Sequence, residues 1–258
     1  MSTTDLLKTL RDETGISVMQ CKKALDEAGG DMDKARMILK KKSGDAAAKK
    51  ADRELGAGLV VTAQGNGKTV MLTLLCETDF VAKNDDFVKL AKTLANKTLE
   101  VGADGANEAS AEMLGEAIQK LGENIKLGTV FVTDSPNAGV YNHNGQYASV
   151  VVLKEKNDDL ARDIAMHATA MRPGFLSEAD ISDEAKTKAK EVFQKEVDAQ
   201  SADKPEEMKA KILEGKVNAF FKEQILGKQM FIKDPSKTID QLLKEANNEI
   251  ISFKIEAL

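Results

Sequence analysis

The sequence has no tryptophan, only two tyrosines and only two cysteines. With 4% aromatic residues and a net charge of −5, it lacks the stacking surfaces and basic excess of general nucleic-acid binders. Cys21 and Cys76 are too few for a disulfide framework, which indicates reduced thiols. We find neither a long apolar run nor a secretory signal in the first residues. We therefore expect a cytoplasmic protein without direct nucleic-acid or membrane partners.

What the chain does contain is 31% charged and 42% apolar residues, a composition typical of folded domains. Residues 1–43 are predicted to form three short helices, because candidate caps and glycine stops alternate with apolar residues at helical spacing. The expected N-terminal caps of the three helices are, in order, Thr3 or Thr4, Ser17 and Asp31. The expected buried residues of the second helix are Val18, Cys21, Leu25 and Ala28.

Met19 breaks the pattern of this bundle, because its helical neighbours Lys22, Lys23 and Asp26 place it on the polar face. Two interpretations remain open, a stray exposed methionine or an adaptable partner contact. Residues 44–55 follow, rich in alanine and lysine. They are predicted to be a solvated, partly helical linker, and a solubilising role is favoured over nucleic-acid binding.

A β-hairpin is predicted over residues 56–76, with Asn66-Gly67 in a type I′ turn. Gly67-Lys68-Thr69 resembles the end of a phosphate loop. However, Thr62 stands where that motif needs glycine, and a strand follows where it needs a helix. Beyond the hairpin we expect a helix capped by Asn84, a loop at 102–109, a helix at 110–121 ending at Gly122, and a strand at 129–132.

A second, weaker copy of this unit follows, with a hairpin around Asn144-Gly145 and a helix opening near Asn157. The first copy is longer between turn and helix, and residues 77–83 account for the difference. This stretch puts Asp79-Phe80 where the chain is expected to be exposed. The competing interpretation makes Phe80 a core residue under the next helix and Asp79 a helix cap.

Residues 182–226 leave the repeat pattern. Two charged helices, at about 183–200 and 206–226, are predicted to form an antiparallel hairpin joined at Asp203-Lys204-Pro205. A short strand at 230–232 follows, then a helix opened by Pro235-Ser236, then a final strand at 249–255.

Taken together, several strings resemble translation elongation factor Ts, in order along nearly the whole chain. They are Thr14-Gly15, Met19-x-Cys21-Lys22-Lys23-Ala24-Leu25, Gly30-Asp31, Thr78-Asp79-Phe80-Val81-Ala82-Lys83, Gly122-Glu123-Asn124-Ile125, Pro235-Ser236-Lys237-Thr238 and Gln241-Leu242-Leu243-Lys244-Glu245.

The resemblance implies an α+β fold in four parts. Residues 1–54 would hold a ubiquitin-associated-like three-helix bundle and linker, and 55–137 the first subdomain of a core of two related α/β subdomains with antiparallel strands. Residues 138–181 and 227–258 would form the second subdomain. Residues 182–226 would be an inserted antiparallel coiled-coil hairpin.

The resemblance also implies a function. Members of this family promote guanine nucleotide exchange on the GTPase elongation factor Tu. They bind the GDP-bound and the nucleotide-free forms of this partner. They are not enzymes in the covalent sense and hold no cofactor or metal. The tip formed by Thr78, Asp79, Phe80 and Val81 would wedge between helices of the GTPase beside its Mg²⁺ site. A homodimer is left open.

Further partner contacts are implied one by one. The N-terminal module would contribute Arg11, Val18, Met19 and Lys22; Leu121 and Gly122 would lie beside the tip; His143 and Ile232 would belong to the second subdomain. Plain alternatives are a helix cap for Gly122 and a polar turn residue for His143. At Ile232-Lys233 the chain departs from the family's apolar pair, which puts contacts there in question. Some members continue past the last strand, and we expect contacts of that extension to be missing.

Two other classes compete with an exchange factor. A thiol enzyme built on Cys76 and His167 is disfavoured, because Cys76 lies in an apolar strand where a thiol is inert. A non-exchanging adaptor would dock partners through the N-terminal bundle and helical hairpin. The adaptor would tolerate alanine at Asp79 and Phe80, whereas an exchange factor would not.

Overall fold

The computed structural model describes residues 2–200 and 204–258. It mixes helices with antiparallel strands, which confirms the α+β class. The chain forms two compact units. The first runs up to Asp134 and also takes in Asn142–Ala148 and Glu256–Leu258; the second holds Ser135–Tyr141 and Ser149–Ile255. In the described part of the chain, no helix combines the length and apolarity needed to cross a membrane.

The first unit opens with helices α1 (Thr3–Thr14), α2 (Val18–Glu27) and α3 (Met32–Lys50). Ser17 and Asp31 cap α2 and α3 as predicted. The cap of α1 was predicted wrongly. It is Ser2, whose hydroxyl accepts from the amide of Asp5 while the Asp5 carboxylate accepts from Ser2 in return, a capping box.

Burial in α2 also departs from expectation at one residue. Cys21, Ala24 and Leu25 are buried, but Val18 is 49% exposed. The core of three short helices does not extend over the first turn of α2, where Val18 lies.

The predicted linker at residues 44–55 is partly helical, as expected, because helix α3 continues to Lys50. More than half of its residues are exposed, but Ala47 packs against the core of the first unit. Lys50 Nζ donates to the carbonyl of Ile118 at 3.2 Å. The segment is therefore mostly solvated, with contacts to the core that were not predicted. Small side chains allow close helix packing here without an apolar stripe in the sequence.

An antiparallel sheet follows, of strands β1 (Ala57–Gly65), β2 (Lys68–Cys76) and β3 (Ile125–Thr133), in that order. Asn66 and Gly67 have φ of 52° and 75°, which confirms the type I′ turn. Strand β2 begins at Lys68, so a strand and not a helix follows the glycine-lysine pair.

Between β2 and β3 lie α4 (Asp79–Ala82) and α5 (Asp85–Leu121), the latter capped by Asn84. The predicted loop at 102–109 is wrong. The helix breaks only at Gly102 (φ 76°) and resumes, because Ala106 and Ser110 are buried. The fully buried Phe87 lies in the core that α5 shares with the sheet.

The second sheet has the order β4 (Ala138–His143), β5 (Tyr147–Leu153) and β8 (Ile250–Ala257). Asn144 and Gly145 have positive φ, and Asn157 caps α6 (Asp158–Met171), as predicted. In both sheets the third strand lies beside the second strand of the hairpin. The relation between the two copies stays a prediction.

Helices α7 (Asp183–Gln200) and α8 (Glu206–Gln224) match the expected bounds closely. They pack through Phe193 and Phe220, whose ring centroids are 5.6 Å apart. The predicted junction at Asp203 lies outside the described residues, and the coiled-coil geometry stays a prediction.

The last segment corrects the predicted helix start. Pro235 and Ser236 lie in strand β7 (Asp234–Thr238), which pairs with β6 (Met230–Phe231). Helix α9 (Ile239–Glu245) begins later, because Thr238 and Gln241 form a capping box.

His167 is a buried polar link in the second unit. Its Nε2 lies 2.9 Å from Oε1 of Gln229, and its Nδ1 accepts from the amide of Ile232 at 3.3 Å. The second bond requires the proton on Nε2, so a neutral ring satisfies both partners. Burial lowers the pKa of His167.

This burial predicts a pH effect on stability. Because the folded state resists protonation, the unfolded state binds more protons once pH falls below about 6.5, the ordinary histidine value. The free energy of unfolding of the second unit should therefore fall as pH is lowered from 7 towards 5. The free energy of unfolding, measured by denaturant titration at each pH, should depend less on pH in His167→Gln than in the wild type. An equal dependence of the free energy of unfolding on pH in the wild type and in His167→Gln would contradict this.

Candidate functional site

The feature that stands out in the first unit is an exposed aromatic ring. Phe80 is 83% exposed, whereas Phe87, one element later, is fully buried. The structure thus rejects the interpretation of Phe80 as a core residue. Helix α4, which carries it, has only four residues and cannot be stable by itself. We call residues 78–81 the tip.

Thr78 and Glu123 fix the base of the tip. Thr78 is the N-cap of α4, and its Oγ1 accepts from the amide of Val81 at 3.3 Å. The same hydroxyl donates to Oε1 of Glu123 at 2.6 Å. Oε2 of Glu123 accepts from the amides of Glu77 and Thr78, each at 3.0 Å. Asp79 follows the cap and is not the cap itself, so that alternative is also wrong.

The carboxylate of Glu77 makes the reciprocal contact, with the backbone that follows helix α5. Its Oε1 accepts from the amide of Asn124 at 2.6 Å and from Arg53 at 3.2 Å. The buried Asn124 side chain in turn donates to the carbonyl of Arg53 at 2.9 Å. These bonds favour the ionised carboxylate and lower the pKa of Glu77, with the Asn124 amide contributing most. Residues 77–78 and 123–124 therefore brace each other reciprocally.

Asp79 is exposed and pairs with Lys83 of the next turn at 2.7 Å. The Lys83 ammonium lowers the pKa of Asp79, so the tip presents an ionised acid beside an aromatic ring. Val81 is half-buried and packs on the core, which anchors the far side of the tip.

Cys76 does not provide a nucleophile beneath the tip. Its thiol is buried and donates to the carbonyl of Thr78 at 3.2 Å. Burial, with the nearby Glu123 charge, raises the pKa of Cys76 to about 11. Such a thiol stays protonated and unreactive near neutral pH, as its place in an apolar strand predicted.

Leu121 and Gly122 lie where helix α5 ends, directly before Glu123. Gly122 is exposed and closes the helix with φ 81°, while Leu121 is half-buried against the core. The structure thus brings the predicted 121–122 region to the base of the tip through Glu123. The helix-cap interpretation of Gly122 is correct, whereas a partner contact at this residue stays a prediction.

The N-terminal residues Arg11, Val18, Met19 and Lys22 are all exposed. Beside Met19, the Gln20 side chain accepts from Gln119 of α5 at 3.1 Å. The end of α5 therefore contacts the N-terminal helices at Gln119 and leads to the tip at Glu123. No direct bond joins the N-terminal residues to the tip within the described residues.

The last two predicted residues lie elsewhere. His143 is exposed at the end of β4, next to Asn142, whose side chain donates to the carbonyl of Val60 at 2.9 Å. Ile232 lies in the second unit, where its amide donates to His167.

Sequence reasoning missed Glu123, Asn124 and Arg53 as parts of the site. The first two stand in the noted string Gly122-Glu123-Asn124-Ile125, from which only the glycine received a role. An acid directly after a helix-closing glycine was the available signal. Among the described residues, no group of three or more histidines, cysteines and acids is arranged to hold a metal.

An exposed aromatic ring on a segment held by hydrogen bonds is typical of proteins that contact a partner through that surface. Comparison with known proteins names the family. A profile of the family described as Elongation factor TS matches residues 77–257. The chain belongs to the elongation factor Ts family, a family of translation elongation factors.

Relatives cover almost the whole chain. An elongation factor Ts from Hydrogenobaculum is 38% identical over 96% of this chain and 95% of its own. Others from Marinobacter nauticus and Acholeplasma laidlawii are each 37% identical, over 97% of this chain and 89% or 90% of theirs.

Alanine substitution of the two phenylalanines should affect stability to very different extents. Phe80→Ala should change the free energy of unfolding by less than about 0.5 kcal/mol, because the ring buries little surface. Phe87→Ala should cost about 3–5 kcal/mol, because it leaves a cavity in the core. Denaturant unfolding of both variants measures this, and a large loss for Phe80→Ala would show that the ring is packed in solution.

Proposed function

We propose that this protein is a guanine nucleotide exchange factor for elongation factor Tu. It binds the GDP-bound GTPase, inserts Asp79 and Phe80 beside the Mg²⁺ site, and promotes GDP release during translation elongation. Membership of the elongation factor Ts family supports the partner. The observation that carries the proposal is the exposure of Phe80 on a braced tip.

The physical basis is reciprocal coupling between two ligands. A GTPase holds its nucleotide through phosphate contacts and a bound Mg²⁺ ion. A factor that binds the nucleotide-free state more tightly must weaken nucleotide binding by the same factor. Enclosing the Phe80 ring supplies about 1.5–3 kcal/mol, which amounts to roughly one or two factors of ten in affinity.

The tip reaches the partner already shaped. Its acid is ionised, and its ring stands clear of its own core, so docking requires little rearrangement. Asp79 brings a negative charge that competes with the groups around the Mg²⁺ ion. Disturbing those surroundings weakens the hold on the phosphates.

The other predicted residues supply affinity in this account. Arg11, Val18, Met19 and Lys22 form a second contact with the GTPase, Leu121 and Gly122 extend the contact of the tip, and His143 and Ile232 contribute from elsewhere. The protein works in the cytoplasm on a protein partner, with a second copy of itself left open as a further partner.

The finer architecture belongs to the same proposal. Residues 1–54 form a ubiquitin-associated-like module with its connection to the core, and 55–137 the first of two related subdomains. Residues 138–181 and 227–258 form the second. Helices α7 and α8, within 182–226, form an inserted antiparallel coiled-coil hairpin.

A first prediction concerns the tip. Phe80→Ala should reduce the maximal acceleration of GDP release from elongation factor Tu by about tenfold or more, because the lost burial exceeds about 1.4 kcal/mol. Stopped-flow release of fluorescent GDP, with the factor below the GTPase concentration, measures this. Met37→Ala is the matched control, since Met37 is an apolar side chain 72% exposed on α3 and outside the site.

Three outcomes separate the candidate functions. Acceleration by the wild type that Phe80→Ala removes supports exchange through the tip. A stable complex without acceleration would instead support the adaptor. Equal acceleration of GDP release by the wild type and by Phe80→Ala would refute the role of the tip.

A second prediction concerns the N-terminal contact. Replacing Met19 and Lys22 together with alanine should raise the factor concentration needed for half-maximal acceleration, while the maximal rate stays within about threefold. Lys34 and Met37 have the same spacing on α3 and are also exposed, so their double replacement is the control. A fall in maximal rate without a change in half-maximal concentration would contradict this assignment.

A further inference from the structure

The tip lacks the contacts that usually hold a segment in place, which the sequence motif does not reveal. Phe80 contributes almost no burial, and the strand ladder of β2 ends at Cys76. The amides of Glu77 and Thr78 therefore lie beyond the sheet. Something other than the sheet or the ring must hold this segment.

Glu123 meets that need with one carboxylate. Its two oxygens accept three hydrogen bonds from Glu77 and Thr78, at 2.6–3.0 Å. Bonds to an ionised acceptor are the stronger kind. Thr78 passes the constraint onward, because the hydroxyl that donates to Glu123 also accepts from the amide of Val81. The chain of bonds thus spans both sides of Asp79-Phe80.

The carboxylate is itself well placed. Glu123 follows Gly122, which closes helix α5, and precedes Asn124, which is buried and bonded to the Arg53 carbonyl. The backbone at 123 is therefore fixed by the helix on one side and by β3 on the other. A fixed anchor can set the direction in which the tip projects.

We propose that Glu123 is a positioning residue for nucleotide exchange, which holds Asp79 and Phe80 in the orientation that docking requires. The inference rests on the proposed function and deepens it. Glu123 acts through the tip and needs no contact of its own with the nucleotide or the metal ion.

The test compares two substitutions of the same residue. Glu123→Ala removes every bond from Glu123 to the tip and should lower the maximal acceleration of GDP release by about tenfold or more, since a misplaced Phe80 ring loses the burial that docking supplies. Glu123→Gln should recover the rate to within about threefold of wild type. Its carbonyl can accept from both amides, and its NH₂ can donate to Thr78 Oγ1. The control is Glu100→Ala, which breaks the exposed ion pair between Glu100 and Lys97 of helix α5.

A double-mutant cycle separates positioning from a general loss of structure. If Glu123 acts through the tip, Glu123→Ala should have little further effect in a background where Asp79 and Phe80 are both replaced with alanine. If the losses multiply in that background, Glu123 acts independently of Asp79 and Phe80 and the inference is wrong. Thr78→Val, which removes the hydroxyl relay but keeps Glu123, is the second variant should Glu123→Ala fold poorly. It should lower the maximal rate in the same way, and a wild-type rate would contradict the inference.

Hydrogen exchange gives a readout that does not depend on the GTPase. In Glu123→Ala the amides of Glu77, Thr78 and Val81 should exchange faster, while those of β2 keep their protection. Unchanged exchange at these amides would overturn the inference even if the protein accelerates GDP release. Conversely, faster amide exchange with no acceleration by the wild type would refute the proposed function and leave the brace itself intact.

Discussion

An aromatic ring that stands in solvent cannot hold its own segment in place. In this protein the constraint comes instead from polar contacts at the base of the ring, where the carboxylate of Glu123 accepts from two amides and one hydroxyl. Helix α4 is too short to supply order, and the adjoining strand has already ended. The exposed tip therefore depends on a residue that is distant along the chain and adjacent in space.

The same end of helix α5 also reaches the N-terminal helices. Gln119 bonds Gln20 beside Met19, and the chain enters strand β3 at Ile125, four residues after Leu121. Helix α3 adds a second connection, because Ala47 packs on the core within the stretch that was expected to be a linker. In the proposed function the two contact regions are thus parts of one framework, which lowers the ordering cost of binding a partner at both.

Local signals in the sequence predicted much of the fold. Asn66-Gly67, Gly15 and the cap at Asn84 each have a backbone requirement that neighbouring residues reveal. Predictions failed where burial came from small residues, as at Ala47 and Ala106, because those side chains give no apolar periodicity. The start of α9 was misplaced because proline was preferred over the capping box of Thr238. Within the site, motif and repeat pointed to Asp79-Phe80, but the partner Glu123 lies 45 residues from Thr78, and an acid after the helix-closing Gly122 does not by itself indicate which segment it contacts.

The most direct test places a photoreactive benzoylphenylalanine at position 80 and irradiates the protein with elongation factor Tu. The account predicts cross-links to segments of the GTPase that surround its Mg²⁺ and phosphate sites. Because the coupling is reciprocal, excess GDP should suppress them. Cross-links that are absent, that fall far from the nucleotide, or that GDP leaves unchanged would contradict the claim that the tip drives nucleotide release.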